Sequence, residues 1–170
     1  GAALTRLSES AQCAYAAIAF GLGKSITNND VTTSNLGRYS GTFFTDEDTN
    51  RIANSLPDDW VASSVFGANK LLTTFGGGGQ YTFHRGDGVV NRINGAFMRV
   101  KRIENVRMDL NKWNPSDFWM VRRGFDFGRI DGEQTILGLN QVIQESLQEK
   151  SLIGISLKKM QGGATLSKKN

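Results

Sequence analysis

Residues 133–158 constrain the fold more than any other part of the chain. Ile136, Leu139, Val142, Ile143 and Leu147 recur at helical spacing along residues 133–149, with polar residues between them. Directly afterwards, Ser151-Leu-Ile-Gly-Ile-Ser-Leu-Lys158 is a short apolar run of the buried-strand type, and it ends in the two lysines Lys158 and Lys159. An amphipathic helix that runs into a buried strand calls for a layered domain in which helices cover a sheet.

The preceding sequence is mainly helical in pattern. Leu7, Ala11, Ala14, Tyr15 and Ile18 predict a helix over residues 5–20, with Thr5 or Ser8 at its start and Gly21-Leu-Gly23 at its end. Residues 24–45 are rich in Ser, Thr, Asn and Gly and read as loop. Thr45-Asp-Glu-Asp opens a second helix reaching about Ser55, and Pro57-Asp58-Asp59 introduces a third from Trp60 to about Thr74. The run Gly76 to Gly79 suits a hinge or a close backbone approach to a ligand, but it lacks the Gly-Lys-Ser/Thr of a phosphate loop. Tyr81–His84 is a short element before a Gly86-Asp-Gly88 turn, and Val89, Ile93, Phe97 and Val100 predict a helix over 89–103. After Asn105, Val106–Met108 reads as a strand, Phe118–Arg122 is rich in strand formers, and Phe125–Phe127 reads as a second short strand. The expectation is an α/β or α+β domain: a mainly helical part over 1–104, then a strand–hairpin–helix–strand core over 105–170, together one compact unit.

Two single residues exclude much chemistry. Cys13 is the only cysteine and His84 the only histidine. An intrachain disulfide, a Cys/His zinc site and a multi-histidine iron site are therefore ruled out. Any metal must be held by oxygen, which favours Mg²⁺ or Mn²⁺. No apolar run of about 18 residues predicts a membrane span. The apolar stretch from Ala11 to Gly23 is interrupted by Gln12 and Tyr15 and reads as a helix rather than a signal peptide. The N-terminal Gly is consistent with initiator removal, a cloning scar or processing.

The net charge of +4 permits a phosphate-bearing partner. Basic residues concentrate late in the chain. Arg85, Arg99, Lys101, Arg102, Lys112, Arg122 and Lys159 are the candidates for contact with a DNA backbone. A solvated basic face explains the same residues equally well. His84, beside Arg85, is a candidate for phosphate contact or acid–base work, although a lone loop histidine is more often structural. Trp60, Trp113 and Trp119 suit either base stacking or core packing. Cys13 reads as a buried helix residue.

Two segments carry the chemistry. Lys112-Trp-Asn-Pro-Ser-Asp-Phe-Trp-Met-Val121 sets Asp117 behind a Pro-stiffened turn at the start of a strand. Leu152-Ile-Gly-Ile-Ser-Leu-Lys-Lys159 delivers Lys158 at the far end of another. If the strands are neighbours, the carboxylate and the lysine meet at one sheet edge. A metal held by the carboxylate would activate water, and the lysine would stabilise the charge that accumulates during phosphodiester hydrolysis.

Asn114-Pro-Ser-Asp117, followed by a strand ending Ser156-Leu-Lys158, resembles the PD-(D/E)xK nuclease superfamily, and the two phrases resemble uncharacterised bacteriophage proteins with that core. The resemblance spans about residues 105–160, and the opening helix, SESAQCAYAAIAFG, is similar to the start of such proteins. It implies a restriction-endonuclease-like core, a small mixed sheet flanked by helices. It also implies a Mg²⁺- or Mn²⁺-dependent endonuclease acting on DNA inside an infected bacterium. Asp117 takes the place of the metal-binding aspartate and Lys158 that of the catalytic lysine. Ser156 falls where the family has an acid or amide, so a second acid is needed. Glu9 on the first helix is the leading candidate, ahead of Glu104 and Asp126.

The 38 residues between Asp117 and Ser156 exceed the family's short hairpin link, and the chain ends about a dozen residues after Lys158, as a fragment or an incomplete core would. The alternative is a nuclease-like phage virion or DNA-packaging protein that does not cut and meets other virion proteins. A third reading is a nucleic-acid-binding module that assists or inhibits another enzyme.

Overall fold

A computed structural model of the chain describes residues 2–39 and 46–157. Its helices are α1 (Ala2–Leu22), α2 (Thr33–Tyr39), α3 (Asp46–Ser55), α4 (Asp58–Phe75), α5 (Gly88–Glu104), α6 (Leu110–Trp113), α7 (Gly128–Asp131) and α8 (Ile136–Gln148). The strands are β1 (Tyr81–His84), β2 (Phe118–Arg122) and β3 (Leu152–Ile155). They pair in the order β1–β2–β3, antiparallel throughout, with Phe83 opposite Met120 and Met120 opposite Ile153.

Alternation along the strands divides the interior into two layers. Tyr81, Phe83, Phe118, Met120, Ile153 and Ile155 face one way and join a core with α1 and α4. Trp119, Val121 and Leu152 face the other way and pack with Ile93, Phe97 and Val100 of α5, Ile130 and Leu139. The near-continuous apolar character of β2 and β3 follows, because both faces of the sheet are covered. The first layer is built around α1, where Cys13 to Ala19 are all buried. Four alanines in that run, at 14, 16, 17 and 19, let its neighbours approach closely. The helix ends at Gly23, whose φ of 69° is a left-handed conformation suited to glycine.

Several sequence expectations need correction. The sheet is antiparallel rather than mixed, so the fold is α+β. The chain leaves β2 and enters β3 at the same end, where the Arg122 amide donates to the Ser151 carbonyl at 2.9 Å. An excursion through two helices that starts and ends at one edge returns the next strand antiparallel. Val106–Met108 is not a strand; Val106 and Met108 are exposed and precede α6. Phe125–Phe127 is not a strand either. Gly124, at φ 86°, turns the chain sharply, and the two rings pack edge-to-face at 4.9 Å. Tyr81–His84, in the mainly helical part, supplies an edge strand. Residues 24–39, expected to be loop, include a 3-10 turn and α2. Thr5 and Ser8 lie inside α1, which begins at Ala2. Among the described residues no helix is long and apolar enough to cross a membrane.

Gly154 of β3 lies opposite Trp119. A Cβ at this position would collide with Ser116 Oγ and stand 3.1 Å from the Trp119 ring and 3.2 Å from Ser116 Cβ. The hydroxyl can rotate away, but the ring and Cβ cannot both yield freely. Gly154→Ala is therefore expected to cost about 1–3 kcal/mol by overpacking, read as a lower urea midpoint at unchanged slope.

Candidate functional site

β2 and β3 bring two distant parts of the sequence to one sheet edge. The Asp117 amide donates to the Ile155 carbonyl at 2.7 Å, which extends the ladder by one bond beyond the strands. The Asp117 side chain then turns along the edge, and its Oδ2 accepts from the Leu157 amide at 2.7 Å. Ser156 lies between these two bonds. The loop before Asp117 is fixed by its own residues: Asn114 Oδ1 accepts from the Ser116 amide at 3.2 Å, and Asn114 Nδ2 donates to Asn94 Oδ1 of α5 at 2.7 Å. Lys158 and Lys159 lie outside the described residues.

Glu9 of α1 reaches the same edge. Arg85, directly after β1, ties the two acids together. Its Nη2 donates to Glu9 Oε1 at 2.8 Å, its Nε to Ser10 Oγ at 3.2 Å and its Nη1 to the main-chain oxygen of Asp117 at 2.8 Å. Glu104 and Asp126, the other acids considered, are elsewhere. Glu104 Oε1 accepts from the Ile136 amide at the start of α8, and Asp126 Oδ1 accepts from the Gly128 amide at the start of α7.

The acids open onto a cleft of about 790 Å³, whose wall includes Glu9, Gln12, Trp60, Asn111, Asp117 and Ser156. Its remaining polar lining is hydroxyl and amide: Ser8, Ser63, Ser64, Asn114 and Ser116. Burial pushes the Glu9 carboxyl above its ordinary value; the Arg85 guanidinium opposes the rise, and the neighbouring Asp117 charge and hydrogen bond add to it. Two half-buried carboxylates this close, one of them bonded to a guanidinium, suit a proton or a divalent cation between them.

That perturbation has a measurable consequence. Folded Glu9 binds its proton more tightly than unfolded Glu9, so its contribution to stability falls as pH rises from the ordinary value of 4.5 through the raised folded value. A glutamine in its place would keep an acceptor for Arg85 and carry no charge. Glu9→Gln is expected to gain melting temperature relative to wild type as pH rises from about 4 to about 8. A constant difference between the two proteins across that range would contradict the coupling.

The basic residues are distributed over several surfaces. Arg99 Nη2 donates to the carbonyls of Ile130 and Glu133, fastening α5 to the α7 end. Arg122 Nη1 donates to the Glu149 carbonyl, and the residue sits at the far end of β2, roughly 17 Å from Asp117 along the strand. Lys101 and Arg102 occupy the last turn of α5, and Lys112 is exposed on α6, next to Asn111 of the cleft. His84 is held on both sides, with Nδ1 2.7 Å from Asp87 Oδ2 and Nε2 2.6 Å from Thr82 Oγ1. Asp87 also caps α5. Trp119 is buried in the second layer, and Trp113 stacks on Phe97 with ring centres 4.7 Å apart.

Sequence reasoning missed the positioning part of Arg85 and the part of the cleft wall formed by Gln12 and Asn111; Trp60, named for stacking or core packing, lines the same cleft. One signal was present: Gln12 is a polar residue inside the most apolar stretch of the chain. Comparison with protein-family models, curated proteins and solved structures gives no match.

Proposed function

We propose that this chain is a metal-dependent DNA endonuclease, with Glu9 and Asp117 as the metal-binding pair. The observation that carries the reading is their convergence, from 108 positions apart, at the mouth of one polar cleft with Ser156 beside them. Among the described residues no group of three or more His, Cys, Asp or Glu could hold an ion. Two carboxylates are nevertheless an ordinary protein contribution to a Mg²⁺ site, which keeps several waters and takes substrate phosphate oxygens. A bound Mg²⁺ or Mn²⁺ would supply Lewis-acid charge and a water of lowered pKa.

The chain's own groups divide the remaining work. Asp117, whose Oδ2 accepts from the Leu157 amide, and Glu9, whose Oε1 accepts from Arg85, would hold the ion through their carboxylates. The Ser156 hydroxyl can donate to a phosphate oxygen, and Lys158, by the resemblance to PD-(D/E)xK nucleases, neutralises charge in the transition state. Arg85 is a positioning residue here, and Lys112 is an exposed cation beside Asn111 of the cleft wall, available to a DNA backbone. The same resemblance makes the protein phage-encoded.

The test is plasmid cleavage in Mg²⁺ or Mn²⁺, with chelator as control. Nicking that requires the ion supports the reading. DNA binding without cutting in either ion would instead favour a nuclease-like virion or DNA-packaging protein. That second reading has its own observations: serine in the place of an acid, and Arg85 already bonded to one of the two carboxylates.

A further inference from the structure

The cleft holds more than the two acids use. Trp60 contributes an indole, and Gln12, Ser63 and Asn111 contribute neutral hydrogen-bonding groups. Among the described lining residues there is no lysine, arginine or histidine. A surface that tracks a duplex backbone needs the reverse, cations set against successive phosphates. An aromatic ring among neutral amides is the chemistry that receives an unstacked base, the ring covering its face and the amides meeting its polar edge.

Gln12 is an independent observation of the same kind. It is only 5% exposed and borders the cleft. Its Nε2 donates to the Ser64 carbonyl at 3.0 Å, which anchors the amide on α4. Its Oε1 accepts no hydrogen bond from the described residues. That oxygen is not sealed in the interior: it opens to the cleft, where water or a ligand can donate to it. The exocyclic amino groups of adenine and cytosine are donors of this kind.

We propose that the cleft receives one unpaired nucleotide, with its base against Trp60, an amino-bearing edge on Gln12 Oε1 and its phosphate against the cation that Glu9 and Asp117 would hold, so that the preferred substrate is single-stranded DNA or a frayed strand end. This rests on the reading of the two acids as a phosphodiester site. The cleft volume of about 790 Å³ falls in the range of pockets that enclose a small molecule. It has room for one nucleotide.

The experiment uses the whole chain and fluorescein-labelled dodecamers of dA, dC and dT beside a dodecamer duplex. Binding is read by anisotropy in Ca²⁺, followed by a gel of the strands. Single strands are expected to bind at least about tenfold more tightly than duplex. Trp60→Ala should weaken them by about 10- to 100-fold, the range for losing one stacked base. Trp60→Phe, which keeps an aromatic face and controls for folding, should retain most of the affinity. Gln12→Met should remove the preference for dA and dC over dT while leaving binding. Equal affinity for duplex and single strands, or wild-type binding by a folded Trp60→Ala, overturns the proposal. Plasmid cutting in Mg²⁺ without single-strand preference removes the nucleotide cleft and leaves the nuclease. Single-strand preference without cutting in any ion does the opposite.

Discussion

Asp117→Asn should lower metal-dependent plasmid cleavage at least about 100-fold, the upper range for residues that merely orient a metal ligand. The substitution suits the geometry. Asn preserves the carbonyl oxygen that accepts from the Leu157 amide, so the crossing from β3 back to Asp117 is kept. What disappears is one of two adjacent charges. Two effects should follow together. The melting temperature without metal should hold or rise, because Glu9 no longer faces a like charge. The rise in melting temperature expected from Mg²⁺ or Mn²⁺ in wild type should shrink, because an ion that binds only the folded state stabilises by mass action. A cleavage rate unchanged from wild type would remove Asp117, and with it the proposed centre, from the reaction.

Phe97→Ala is expected to cost about 4 kcal/mol of stability, within the range for deleting a fully buried phenylalanine. Phe97 is 0% exposed and lies in the second core layer with Trp119, Val121 and Leu139. Its ring stacks on Trp113, whose Nε1 donates to Asn140 Oδ1 of α8 at 2.7 Å. Trp113 ends α6 and stands four residues before Asp117. The same stretch is held to α5 by the Asn114–Asn94 bond. Removing the ring therefore loosens the loop that delivers the aspartate as well as the core. Chemical denaturation should show the loss of stability, and the metal-induced gain in melting temperature should weaken in the same variant. Loss of less than about 1 kcal/mol would mean that the layer collapses around the gap.

The long helices were legible because their cause is local. Leu7, Ala11, Ala14, Tyr15 and Ile18 lie at helical spacing, and α1 forms around them; Ile93, Phe97 and Val100 do the same for α5. Short strands were harder. Val106–Met108 and Phe125–Phe127 do not pair, and β propensity reports fit to a partly buried surface more than an intrinsic backbone preference. Tyr81–His84, with Tyr, Thr and Phe, is richer in strand formers and pairs along β2.

The candidate site divides along the same line. Asp117 was marked by the Pro-containing turn before it and Ser156 by the strand end before it, both features of a few consecutive residues. Glu9 was the leading second acid by resemblance alone; the tertiary structure sets it beside Arg85 and Asp117, while Glu104 and Asp126 accept from amides at the starts of α8 and α7. The sequence by itself determined the helical faces and the apolar strands, and its single cysteine and histidine leave oxygen as the donor for any metal, since period and composition are read within one turn or one strand. The tertiary structure decided which acid stands beside Asp117, that Arg85 holds the pair, and that Gln12 and Trp60 share its cleft. Those facts depend on pairings across tens of residues, which no local spacing encodes.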